Sequence, residues 1–170
     1  PIDEVFDNYA INAQGEHMPA ELKVKMLKSI NFQPCYALGE NLAATCADLA
    51  WHMLPAAKVP TADKALDFEH ESLKAVNLLD LQVPPRYSSS YFNHIFGGGY
   101  AAGYYSYLWT EVLADNIAEA FQKKGALKRS TGDEMRNIIL SRGYTVDLMK
   151  AFTEFTGFQQ PDVQALLKAR

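Results

Sequence analysis

The sequence predicts an all-α fold, and three observations carry that prediction. Apolar residues recur at helical spacing along most of its 170 residues. Proline and glycine fall at the positions where helices begin and end. Alternation of the kind a half-buried strand needs never extends beyond a few residues, and there is no internal repeat or low-complexity tract.

Taken in order, Pro19 and Glu21 open a helix whose apolar face runs through Leu22, Met26, Leu27 and Ile30. Pro34 starts a second helix toward Leu54, and a third fits Thr61 to about Leu79. From Leu81 to Phe96 the chain is punctuated by Pro84, Pro85 and the run Ser88, Ser89, Ser90, which predicts irregular or partly helical structure. Gly97, Gly98 and Gly99 form a sterically bare loop. Tyr100 to about Gln122 then reads as one long helix that stops near Gly125. Thr131 and Glu134 make a capping-box pair for a helix to Leu140, broken by Gly143. Val146 to Phe155 and Val163 to Ala169, the latter begun by Pro161, are the last two helices.

Length and composition bound the function. A chain of 170 residues suffices for one ordinary domain with a real core, so residues 1–170 are read as a single helical domain. Hydrophobic residues at 48% and charged residues at 21% exclude the disordered, fibrous and disulfide-scaffold classes. A net charge of −4 without a long Lys/Arg run gives no footprint for nucleic acid or an anionic membrane surface. No apolar stretch reaches the roughly 18 residues that a membrane span needs. Cys35 and Cys46, if on one helix, stand about 16 Å apart at ~1.5 Å rise per residue, beyond disulfide reach. Reduced thiols fit a reducing compartment, and a cytoplasmic location is expected. Because the chain opens at Pro1 and ends at Arg170 with the helical pattern still running, it reads as a piece of a longer polypeptide.

Chemistry concentrates between Arg86 and Trp109, a stretch with six tyrosines, one histidine and four glycines. At about 100° per residue, Tyr100, Tyr104, Tyr107 and Glu111 fall within roughly a 60° arc of one helix face. Tyr105, Trp109, Val112, Leu113 and Ala120 occupy the opposite face, which has the look of core packing. The tyrosine face is then free to line a polar cleft, where a phenol donates a hydrogen bond without being charged and its ring walls an apolar pocket. The other reading of the same pattern is a buried face with its hydroxyls satisfied by nearby backbone. His94 has an equally plain structural reading, and the glycine run could be a simple turn. Arg142 suits either a carboxylate or a helix end.

No pair of the histidines, His17, His52, His70 and His94, has the four-residue spacing that presents two imidazoles to one metal from a helix face. His70-Glu71 is a near miss, with Lys74 where the second imidazole would stand. No metal site is therefore expected in this chain.

The string His94-Ile-Phe-Gly-Gly-Gly-Tyr-Ala-Ala-Gly-Tyr-Tyr-Ser-Tyr-Leu-Trp109 resembles the signature near the C-terminus of the thimet oligopeptidase, oligopeptidase A and peptidyl-dipeptidase family of zinc metallopeptidases. Ile139-Leu-Ser-Arg-Gly143, Ala165-Leu-Leu-Lys-Ala-Arg170 and Phe32 to Leu54 resemble it too, in the same order. The resemblance implies a helical fold whose two halves flank a deep channel in which short peptides are hydrolysed. It also implies a zinc ion held by an HExxH motif and a distant glutamate, all upstream of this chain, so that the chain alone is inactive. Carried onto matching positions, it makes Tyr107 the oxyanion donor and His94 a hydrogen-bond partner of the substrate. Tyr100 and Tyr104 become substrate contacts, and Gly97, Gly98 and Gly99 a mobile segment that closes on the peptide. Gly-Gly-Gly-Tyr followed by Ala101-Ala-Gly103 resembles the bacterial peptidyl-dipeptidase branch, which points to removal of C-terminal dipeptides. The expected partners are short peptides and the rest of the parent polypeptide. The rival class is a noncatalytic helical module that docks a protein on its tyrosine face. A nucleotide site at the glycine run is disfavoured by the missing strand and Lys-Ser/Thr pair.

Overall fold

The computed structural model describes residues 3–30 and 32–169. Pro1, Ile2, Asn31 and Arg170, the last residue of the C-terminal resemblance, lie outside them. Among the described residues there is no β-strand, only an isolated bridge between Ile11 and His17. The protein is all-α, as the periodicity predicts.

The chain divides into two compact units, residues 3–38 and 39–169. In the first, α1 (Asp3–Tyr9) and α2 (Ala20–Ile30) are joined by a turn built on Asn12. Its side-chain oxygen accepts from the amides of Gln14 and Glu16, both at 2.9 Å. Lys23 of α2 pairs with Asp3 of α1 at 2.8 Å and lies 5.0 Å over the Phe6 ring. The ammonium hydrogen-bonds the Asp3 carboxyl and holds its pKa below the usual carboxylate range. No side chain of α1 or α2 is buried, and the apolar residues Leu22 and Ile30 are half exposed.

The second unit holds most of α3 (Pro34–His52), followed by two short 3₁₀ turns, Ala56–Lys58 and Ala62–Lys64, and by α4 (Ala65–Ala75). α4 stops short of Leu79 because Asn77 turns into the left-handed region at φ 57°. The next elements are α5 (Asn93–Phe96) and α6 (Ser106–Lys124). α7 (Arg129–Met135) continues into a π turn, Arg136–Leu140. α8 (Leu148–Thr156) starts one residue after Asp147, whose carboxylate accepts from the Met149 and Lys150 amides, and ends at Gly157 with φ 77°. α9 (Val163–Ala169) follows Pro161.

Two clusters make the core around α3. Ala44 packs with Phe92, Ile95 and Tyr104, flanked by Trp51 and Tyr87, while Ala43 and Ala47 pack on Leu73 of α4. Small residues on one side of α3 let these neighbours approach closely. α6 packs on α8 and α9, with Val112, Ala120, Phe152, Phe155 and Leu166 buried and the Phe121 and Phe155 rings 5.2 Å apart. Asn116 of α6 is wholly buried and satisfied: its amide donates to the Asp162 carbonyl and accepts from the Asp162 amide, both at 2.8 Å.

Three further local readings change. The helix read from Tyr100 begins instead at Ser106, the preceding six residues forming turns with Ala102 at φ 54°. Of the face assigned to core packing, Val112 and Ala120 are buried, but Tyr105 and Trp109 are exposed. Thr131 is no cap: it sits buried within the first turn of α7, its hydroxyl directed at the Lys124 carbonyl, and Glu134 pairs with Lys124.

Candidate functional site

The site is assembled by the turn segment between α5 and α6, which folds over α3. The amides of Gly97 and Gly98 both donate to the Asn93 carbonyl at 2.8 Å, and the Tyr100 amide donates to the His94 carbonyl at 3.0 Å. The glycine run therefore wraps tightly around the end of α5. A Cβ at Gly98 would stand 3.0 Å from backbone atoms of His94, and Gly99 takes φ 83°. Replacing Gly98 by Ala is expected to cost about 1–3 kcal/mol in stability, because backbone rather than a flexible side chain must yield. Thermal melting checks this; an unshifted midpoint would mean the turn relaxes freely.

This wrap brings His94, Tyr100, Tyr104 and Tyr107 together. Tyr100 and Tyr107 stack at 5.6 Å between ring centroids, Tyr104 lies 4.9 Å from Tyr107, and the His94 ring is 5.8 Å from Tyr104 and 6.1 Å from Tyr100. Tyr87 backs the group, 4.7 Å from His94 and stacked 5.2 Å from Phe92, with the Arg86 guanidinium 5.1 Å from its own ring. The grouping expected from helical spacing is thus present, although a turn rather than a helix places Tyr100 and Tyr104.

The three tyrosines differ in setting. Tyr104 is buried, and desolvation is the main cause that raises its phenol pKa above the usual range. Tyr100 and Tyr107 are 40% and 43% exposed, enough for their hydroxyls to meet a ligand. The Tyr107 phenol is also raised, first by its hydrogen bond with Tyr100 and then by desolvation. Both Tyr104 and Tyr107 therefore stay protonated, the state in which a phenol donates. Tyr107 borders an open cleft of about 460 Å³, shared with Asn41, Thr110 and Glu111.

Sequence reasoning missed two buried carboxylates behind this group. Asp48 of α3, wholly buried, accepts from the Ala102 and Tyr104 amides, each at 2.9 Å, and lies 2.8 Å from His52 Nδ1. Glu69 of α4 accepts from the Ser88 hydroxyl and the Ser89 amide, and the Ser89 hydroxyl accepts from Trp51 Nε1 at 2.7 Å. The available signal was a single charge in the apolar run Leu42 to Trp51, since a carboxylate buried on such a face must have partners. Among the described residues no three His, Cys, Asp or Glu side chains gather as ligands for a metal ion. The described residues therefore offer no donor set that fits zinc.

Comparison with known proteins brings the chain among the peptidases. Residues 3–170 match the profile of peptidase family M3, and the chain belongs to that family. It is 43% identical over 168 residues to a dipeptidyl carboxypeptidase of Salmonella typhimurium and 42% identical over 168 residues to one of Escherichia coli. Each of those matches covers 98% of this chain and 24% of the relative. Oligopeptidase A of Escherichia coli is 36% identical over 154 residues, covering 91% of this chain and 22% of the relative. The chain thus spans about a quarter of the length of these relatives. Greater identity to the two dipeptidyl carboxypeptidases than to this oligopeptidase A agrees with the branch that the Gly-Gly-Gly-Tyr wording resembles.

Proposed function

We propose that this chain is the C-terminal part of a zinc-dependent peptidyl-dipeptidase or oligopeptidase that hydrolyses short peptides. In this reading it supplies substrate-binding and oxyanion-stabilising groups. The observation that carries the reading is the convergence of His94, Tyr100 and Tyr107, of which Tyr107 borders an open cleft and has its phenol held protonated. Tyr107 donates to the oxygen of the scissile carbonyl as it gains negative charge, a preorganised donor that strengthens in the transition state. His94 hydrogen-bonds the substrate backbone. Tyr100 orients Tyr107 and touches the peptide, while buried Tyr104 walls the pocket with its ring edge. The segment Gly97 to Gly99 closes on the peptide. Zinc is the implied cofactor, held by residues outside this chain, and the chain alone neither binds it nor cleaves peptide.

The names of its relatives favour release of C-terminal dipeptides over internal cleavage. The free thiols Cys35 and Cys46, eleven positions apart on α3, favour a cytoplasmic location. The test is to incubate the full-length parent protein with an N-terminally blocked peptide of eight to ten residues and weigh the products. Successive loss of C-terminal dipeptides, stopped by a chelator, is the expected result. Cleavage only at internal bonds would select the oligopeptidase alternative, and no hydrolysis with zinc present would overturn the enzyme reading in favour of a docking module.

A further inference from the structure

We infer that Asp48 is a positioning residue of the site: its buried carboxylate on α3 fixes the turn that sets Tyr100 and Tyr104 against Tyr107. This rests on the peptidase reading above for its functional consequence, though its geometric part stands alone. The Asp48 side chain is entirely buried, yet each oxygen is engaged. Oδ1 accepts from the Ala102 amide at 2.9 Å and Oδ2 from the Tyr104 amide at 2.9 Å, across 54 and 56 residues of sequence. His52 Nδ1 faces two acceptors, Oδ1 of Asp48 at 2.8 Å and the Asp48 carbonyl at 2.9 Å, so that nitrogen carries the proton and ties the carboxylate to its own helix.

The need for such a clamp is visible in the turn. Ala102 stands at φ 54°, a left-handed conformation that a residue with a Cβ rarely keeps unless its surroundings enforce it. Left to local preference, Tyr100-Ala-Ala-Gly-Tyr-Tyr would extend α6 backward. Helical amides at 102 and 104 would then point along the helix, away from Asp48. By taking those two amides the carboxylate stops the helix at Ser106, and the turn that results presents the Tyr100 ring to Tyr107 at 5.6 Å. Hydrogen bonds to an ionised acceptor are about twice as strong as neutral ones, which suits a group that must override helix propensity.

The test uses Asp48→Asn in the full-length parent protein. An Asn side chain offers one acceptor where two amides and an imidazole N–H converge, so one donor is left facing an NH₂ group. The expected result is a fall in kcat of about 10²-fold with KM changed less than about threefold, since misplacement rather than lost binding is the defect. In a Tyr107→Phe background the same change should lower kcat by less than about tenfold, because both act through one donor. If Asp48→Asn does not accumulate folded, Asp48→Glu keeps the charge but displaces it by one methylene and carries the same expectation. A kcat within about threefold of the parent for the folded variant, or full multiplication with Tyr107→Phe, overturns the inference. Should Tyr107→Phe itself leave turnover normal, the peptidase role of that tyrosine fails separately. Fluorotyrosine NMR then decides the positioning alone: the Tyr100, Tyr104 and Tyr107 resonances must move in the Asp48 variant while that of exposed Tyr144 does not. Unmoved resonances overturn it.

Discussion

Replacing Tyr107 by Phe in the full-length polypeptide is expected to lower kcat by about 10² to 10³-fold, the usual consequence of losing one oxyanion donor. The hydroxyl is removed while ring, stacking on Tyr100 and contact with Tyr104 remain, so the walls of the candidate site keep their shape. KM should change far less, because the bond strengthens only as charge develops on the substrate oxygen. The exposure of Tyr107 sharpens the test. A buried phenol would betray a structural role through lost stability, but this ring is 43% exposed and its loss of a hydroxyl should leave the melting temperature unmoved. Normal turnover with a lowered melting temperature would sink the catalytic assignment.

The largest expected effect on folding is at Phe155, which has no exposed surface. It is packed 5.2 Å from the Phe121 ring, and the Lys124 ammonium sits 4.7 Å from its centre. Phe155→Ala removes the ring from the seam between α6 and α8 and leaves a void that these two helices can only partly close. A loss of about 3–5 kcal/mol follows, or roughly 6–20 °C in Tm for a chain of this size. None of the candidate site residues lies on α8, so in the full-length parent protein carrying the same substitution kcat per folded molecule should be retained. A loss below about 1 kcal/mol would show that the seam repacks, and a fall in kcat at full folding would show that α8 reaches the site.

What the sequence made legible was the part governed by local rules. Pro34 marks the start of α3, Pro161 precedes α9, and the helical periods hold over α2, α3, α4 and α6. The site tyrosines were also legible as a group, because Tyr104 and Tyr107 are close enough in sequence to meet in either a helix or a turn. The rest depended on partners far along the chain. Tyr100 to Tyr105 reads as helix because its local pattern runs on into α6; Asp48, more than fifty residues earlier, takes the Ala102 amide and the Tyr104 amide, the latter being one that such a helix would bond to the Tyr100 carbonyl. Trp109 and Tyr105 read as core by hydrophobicity alone, yet the small-residue side of α3 is already filled by Phe92, Ile95 and Tyr104. Thr131 matches a capping pattern, but Lys124 and Glu134 pair across the preceding turn and the helix begins two residues earlier. The glycine run suggests looseness by composition, whereas the Gly97 and Gly98 amides donate to the Asn93 carbonyl and the Tyr100 amide to the His94 carbonyl, pairings that composition does not encode.

The reciprocal pairing of Asn116 with the backbone of Asp162 also bears on the order in which the molecule is made. The middle of α6 emerges from the ribosome 46 residues before the segment that completes its hydrogen bonds. At about 5–20 residues per second, that is a wait of roughly 2–9 seconds. Until residue 162 arrives, the Asn116 amide has to remain hydrated, so α6 cannot bury that face for good. Commitment of the helix that carries Tyr107 is thereby deferred until that later segment is made, and a chain cut short before Asp162 would hold Tyr107 on a helix that never settles.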